Sequence, residues 1–102
     1  MVYLQHGLED SSDTWVLNEE TKAPGFILAN KGYDVWLGNV RGNHYSCPTL
    51  SPRVKNFWDF SFDEMVKFDL PAAFEYISKE TGKKIHYIGH SQGSLIMFAA
   101  LS

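Results

Sequence analysis

The sequence predicts an α/β layer fold built on a parallel sheet, and three observations lead there. Short apolar stretches bounded by turn residues alternate with segments of helical spacing, in the order strand, helix, strand, helix, strand, helix. Between the strands stand helix signals, Pro24 with Lys31-Gly32 in the first interval and the Ser61–Glu64 capping box with Gly82 in the second. The third strand also runs directly into a Gly-x-Ser-x-Gly turn and then an apolar helix, a junction that parallel sheets use at their carboxyl edge.

The first element is Val2–Gln5, a short buried strand ended by His6-Gly7. A helix is expected after Pro24, carrying Phe26, Ile27, Leu28 and Ala29 within 21–30, and Lys31-Gly32 is its stop signal. Residues 33–38, Tyr-Asp-Val-Trp-Leu-Gly, read as the second strand. A polar loop rich in Asn, Gly, Ser and Pro spans 39–56. The second helix starts at a capping box made by Ser61 and Glu64, with Phe60 and Met65 at the positions of a hydrophobic staple. Its apolar face is predicted to run through Met65, Phe68, Ala72 and Tyr76, with Val66, Ala73 and Ile77 alongside. Pro71 should kink or restart it, and Gly82 should end it. The third strand is expected at 85–89 and the last helix at Gln92–Leu101.

Composition narrows the function classes. The 102 residues are 44% hydrophobic and 21% charged, which is globular rather than disordered or fibrous, and the length suits one domain. A net charge of −3 with scattered Lys and Arg lacks the basic footprint of a nucleic-acid binder. No apolar run approaches the roughly 18 residues of a membrane span. The N-terminus has no charged region followed by an apolar one, so no signal peptide is read in this chain. Cys47 is the single cysteine and cannot form an internal disulfide.

The chemistry concentrates at Gly89-His90-Ser91-Gln92-Gly93. A serine nucleophile at a strand end needs a sharp turn that lifts its oxygen clear of the sheet. That turn leaves little room for a Cβ two residues before or after it, and glycine stands at both positions. The free amides at the start of the following helix then face the reacting centre. His6-Gly7-Leu8 follows the first strand, where an oxyanion loop belongs in this architecture; the expected donors are the backbone amides of Leu8 and Gln92.

Other polar groups have structural readings. Neighbours at a sharp turn point their side chains differently, so His90 is expected to pack or hydrogen-bond beneath the elbow. His6 is expected to make a structural hydrogen bond, His86 to be a satisfied core or edge residue on a strand buried on both faces, and His44 to lie in the polar loop. The four histidines form no compact metal motif, and no metal site is expected. Asp59, Asp63 and Glu64 flank a helix start, where the macrodipole favours carboxylates. Trp15, Trp36, Phe57 and Trp58 are expected in the core rather than on a lipid-contact surface.

Four segments together, YLQHGLEDSSDTWVLN, GYDVWLGNVRGNHYS, FWDFSFDEMVKFDLPA and YIGHSQGS, resemble the acid lipase family of α/β-hydrolases along nearly the whole chain. The resemblance implies a partial α/β-hydrolase fold over 1–102, with a three-stranded parallel sheet core and flanking helices. It implies hydrolysis of lipid esters, triacylglycerols or steryl esters, through an acyl-enzyme on Ser91, with Leu8 and Gln92 as oxyanion donors. It implies no cofactor and a secreted or lysosomal setting. In this fold the acid and histidine of the triad follow the nucleophile. The chain ends at Ser102, so both are expected beyond it and the chain is expected to be an N-terminal to central fragment. The segment SCPTLSPRVKN is shorter and differently charged than the family pattern. A catalytically inactive remnant that binds lipid or a partner is the competing reading, and acyl transfer to another acceptor is a third.

Overall fold

In the computed structural model, which describes residues 1–46, 53 and 55–102, β1 (Val2–Gln5) is buried along its whole length. It is the middle strand of three, between β2 (Val35–Leu37) and β3 (His86–Gly89), and both pairings are parallel. The register sets Tyr3 beside Trp36 and Tyr87, and Leu4 beside Leu37 and Ile88. Cys47 and the middle of the predicted 39–56 loop lie outside the described residues.

Alternation along β1 divides the core into two. Val2 and Leu4 pack with Trp15 and, at the edge, Leu28, Val35 and Leu37. These contacts bring a 3-10 helix (Ser12–Val16) and α1 (Pro24–Asn30) onto one face of the sheet. The short 3-10 helix has no apolar period to announce it; Ser11 caps it by accepting from the Asp13 amide. Tyr3 on the other face joins Val40, Met65, Leu70, Ile77 and Ile96. Its ring stacks on Tyr87 at 5.6 Å and meets the edge of Phe74 at 5.5 Å. Burial, reinforced by the Asp69 charge, pushes the Tyr3 phenol up to about 12, so it stays protonated and donates to Gln5 Oε1.

The second helical run differs from the predicted stripe. It begins as α2 (Phe62–Glu64), widens into a π-helical turn (Met65–Asp69) and continues as α3 (Leu70–Thr81). The Leu70 amide donates to the Met65 carbonyl, five residues back. One extra residue per turn rotates everything after it, so the buried face is Met65, Leu70 and Ile77, while Phe68 and Tyr76 are each 59% exposed. Pro71 is the local cause: it lacks an N–H and its ring crowds the carbonyl four residues earlier. The helix restarts with Pro71 in its first turn, as expected, and Gly82 ends it at φ +64°. The capping box forms as predicted.

α4 (Gln92–Leu101) packs Ile96 into the Tyr3 cluster but exposes Leu95, Phe98 and Leu101. β3 is covered on one face only. His86 and Ile88 are exposed, which corrects the expectation of a strand buried on both sides: the Trp15 and Leu28 cover packs on β1 and β2 and does not reach β3.

Candidate active site

The elbow grows directly out of the sheet. The His90 amide donates to the Gln5 carbonyl at 3.1 Å, carrying the β1–β3 ladder one residue past the strand. Ser91 then turns the chain at φ +54° and ψ −119°, a conformation that L-residues avoid. The Gly93 amide donates to the His90 carbonyl, and Ser94 and Leu95 both donate to the Ser91 carbonyl. Two side chains brace the turn: Tyr87 Oη donates to the Gly93 carbonyl at 2.6 Å and Ser94 Oγ to the Gly89 carbonyl at 2.7 Å.

Both glycines are sterically required. A methyl group on Gly93 would stand 2.5 Å from the Gln5 carbonyl oxygen and 2.6 Å from that of His6. On Gly89 it would stand 2.7 Å from the Gly93 carbonyl carbon and the Ser94 nitrogen. The closest atoms at both positions are backbone, so no rotamer change relieves either contact.

The loop after β1 comes to the same place. A methyl group on Gly7 would lie 3.2 Å from Ser91 Cβ, so the Gly7 backbone stands against the elbow. Leu8 follows with its side chain exposed. Leu8 and Gln92, far apart in sequence, line one cleft of about 670 Å³. Among the described residues, neither of their backbone N–H groups donates to another protein group. Ser91 is exposed beside this cleft through its contact with Gly7. None of the four histidines hydrogen-bonds Ser91 Oγ among the described residues. No group of three metal-ligating side chains gathers among them either.

His6 is buried and hydrogen-bonded, as expected. His90 is exposed rather than packed beneath the turn, because the space under the elbow is filled by Gly93 against the Gln5 and His6 carbonyls. The aromatic residues divide: Trp15 and Phe57 are core, Trp36 is half-buried, and Trp58 is 53% exposed and lines the cleft with Phe60 and Met65.

Sequence reasoning missed an ion pair whose Arg41 lines the cleft. Arg41 Nε and Nη2 donate to Asp69 at 2.9 and 2.7 Å, and the Arg41 amide donates to the same carboxylate at 3.0 Å. The guanidinium also lies 5.9 Å from the Phe60 ring centroid and 5.7 Å from that of Phe68. The Asp69 hydrogen bond holds the Arg41 guanidinium above its ordinary range. The π-helical turn carries Asp69 at its end, and no periodicity in the sequence announces that pairing.

The model of the alpha/beta hydrolase fold matches residues 1–102. The chain belongs to the α/β-hydrolase family. Within it the resemblance to the acid lipases holds along the whole chain. The chain is 53% identical to human gastric triacylglycerol lipase over 105 residues, covering all of this chain and 26% of that protein. It is 52% identical to lipase lipl-1 of Caenorhabditis elegans and 50% identical to human lysosomal acid lipase/cholesteryl ester hydrolase, again with full coverage of this chain and 26% of each relative. The chain therefore spans about a quarter of the length of these relatives. Among its described residues no helix is long and apolar enough to cross a membrane.

Proposed function

We propose that residues 1–102 are the nucleophile-bearing part of a serine lipid-ester hydrolase. The observation that carries this is Ser91 itself, held at φ +54° at the head of α4. Structure retains backbone strain of this kind where the surroundings over-determine it, most often at a reacting group. In the proposed reaction Ser91 Oγ attacks the ester carbonyl carbon and a histidine takes its proton. The carbonyl oxygen becomes an oxyanion facing the Leu8 and Gln92 amides, at the positive end of the α4 dipole. Collapse expels the alcohol, protonated by the histidine, and leaves an acyl-enzyme on Ser91. Water activated by the same histidine then releases the acid. In this fold family the acid and the histidine follow the nucleophile in chain order, and the reading assigns the general base to such a histidine rather than to His6, His44, His86 or His90. No cofactor takes part.

Val40, Trp58, Phe60 and Met65 give the cleft an apolar wall suited to an acyl chain. The relatives named triacylglycerol lipase and cholesteryl ester hydrolase support triacylglycerols or steryl esters as substrates. One of them is named as lysosomal, in keeping with a lysosomal or secreted setting for this protein.

Ser91→Ala in the full-length gene product is expected to abolish ester hydrolysis, a loss on the order of 10⁶ in turnover. Retention of a tenth of the activity would remove the assignment. The second reading is a catalytically inactive remnant that binds lipid or a partner. It predicts no hydrolysis and no labelling by an activated phosphonate even in the full-length gene product.

A further inference from the structure

His6 is 2% exposed, yet its ring meets three polar partners. Nδ1 lies 2.8 Å from the Gly7 carbonyl oxygen. Nε2 lies 3.3 Å from the Val40 amide nitrogen and 3.1 Å from Asn43 Nδ2. The Asn43 carboxamide is oriented by its other end, since Oδ1 accepts from the Tyr45 and Ser46 amides at 3.0 Å each while Nδ2 donates to Asn39 Oδ1 at 2.8 Å. A backbone N–H and a carboxamide NH2 only donate. Nε2 must therefore accept, the ring proton sits on Nδ1, and Nδ1–H donates to the Gly7 carbonyl.

The Gly7 carbonyl and the Leu8 N–H are the two ends of one planar peptide. A hydrogen bond into the oxygen end sets the plane of that peptide and polarises its N–H. Given the reading in which the Leu8 amide is one of two oxyanion donors, we propose that His6 is a positioning residue for the oxyanion hole. Its Nδ1–H···O=C bond aims the Leu8 N–H at the reacting carbonyl. Val40 and Asn43 hold His6 in the one tautomer able to do this. Gly7, against Ser91 Cβ, keeps the donor within reach of the nucleophile. Arg41 and Asp69 anchor the backbone beside Val40, so the support runs from the π-helical turn to the Leu8 amide.

The test uses the full-length gene product with a matched ester and thionoester, whose larger, softer sulfur gains less from amide donors. His6→Ala is expected to lower kcat for the ester about 10-fold, below the 10²–10³ that outright loss of a donor costs, with KM nearly unchanged. Turnover of the thionoester falls much less, so the ester-to-thionoester ratio narrows. Equal loss on both substrates, or an unchanged kcat, overturns the proposal. In the unsubstituted protein, nitrogen-15 NMR of the His6 ring is expected to show a protonated Nδ1 and a bare Nε2; the opposite tautomer overturns it without any variant. Should His6→Ala fail to fold, that spectrum and Asn43→Ala, expected to shift the same ratio to a smaller extent, decide the matter. Ser91→Ala separates the two levels: an inactive Ser91→Ala beside an unchanged His6→Ala removes only the role of His6, whereas an active Ser91→Ala removes the hydrolase reading beneath it.

Discussion

At the scale of single residues, the elbow places opposite demands on neighbouring positions. Ser91 occupies a backbone region that costs an L-residue about 1–3 kcal/mol, and glycine would relieve it. Ser91→Gly is therefore expected to raise stability by about 1 kcal/mol while removing activity, measured by thermal unfolding beside an esterase assay. Gly93→Ala runs the other way. Its methyl group would meet two backbone carbonyl oxygens that cannot retreat without opening the sheet, and a loss of about 3 kcal/mol or more is expected. Gly32→Ala is the control. That position has φ +89° with open space around it, so only conformational strain of about 1 kcal/mol applies. Equal costs at Gly32 and Gly93 would refute the steric account. The elbow was legible in the sequence because its five residues are contiguous, although the carbonyls that crowd Gly93 come from Gln5 and His6. The role of His6 was not, since its partners Val40 and Asn43 arrive from another strand connection.

At the scale of elements, the helical run 62–81 shows where pattern reading works and where it fails. Ser61 and Glu64 form the capping box that their spacing announces, because every group involved lies within four residues. Ser61→Ala is expected to cost about 1 kcal/mol. Hydrogen bonds from the Ser61 backbone and hydroxyl hold the Glu64 carboxyl below its ordinary value of 4.5. A lowered folded-state value means that the contribution of Glu64 is complete above that ordinary value and disappears as the pH falls through the folded one. The Tm gap between the native protein and Glu64→Gln is therefore expected to narrow as the pH falls below 4.5 and to close below the lowered folded-state value. A gap that persists into stronger acid would rule out the carboxylate as its source. The buried stripe of the same helix could not be read. The π-helical turn shifts the register by one residue, burying Leu70 and exposing Phe68 and Tyr76. It also delivers Asp69 to Arg41. Asp69→Ala would leave a partly buried guanidinium unpaired, and a cost of about 2 kcal/mol is expected, reduced from that of a fully buried pair by the exposure of Arg41. Chemical denaturation of the variant measures it.

At the scale of the whole molecule, the strand order β2-β1-β3 leaves β2 and β3 as edges among the described residues. Ile88 is 42% exposed on one edge, and Leu95, Phe98 and Leu101 on α4 expose from 57% to 77% of their surface. Unpaired edges beside apolar surface template pairing between chains. The 102-residue chain expressed alone is expected to self-associate. Size-exclusion chromatography checks this, and a monomer with a cooperative transition at roughly 45–65 °C would refute it. The same chain is expected to resist phosphonate labelling at Ser91 over minutes, since no described imidazole hydrogen-bonds its hydroxyl.

Reading the residues alone yields the alternation of strand and helix, the parallel sheet, the elbow with its two glycines, the capping box and the restart after Pro71. Each of these is announced by a contiguous motif or by a periodicity that survives along the chain, even where, as at Gly93, the crowding atoms come from β1. Tertiary structure alone decided which side of helix 62–81 faces the core, which aromatic residues line the cleft and which proton His6 carries. Those outcomes depend on groups that meet only after the sheet has formed: Asp69 with Arg41, Val40 and Asn43 with His6, and Gly7 with Ser91. Local spacing can specify a turn. It cannot specify the partner that a turn brings from across the fold.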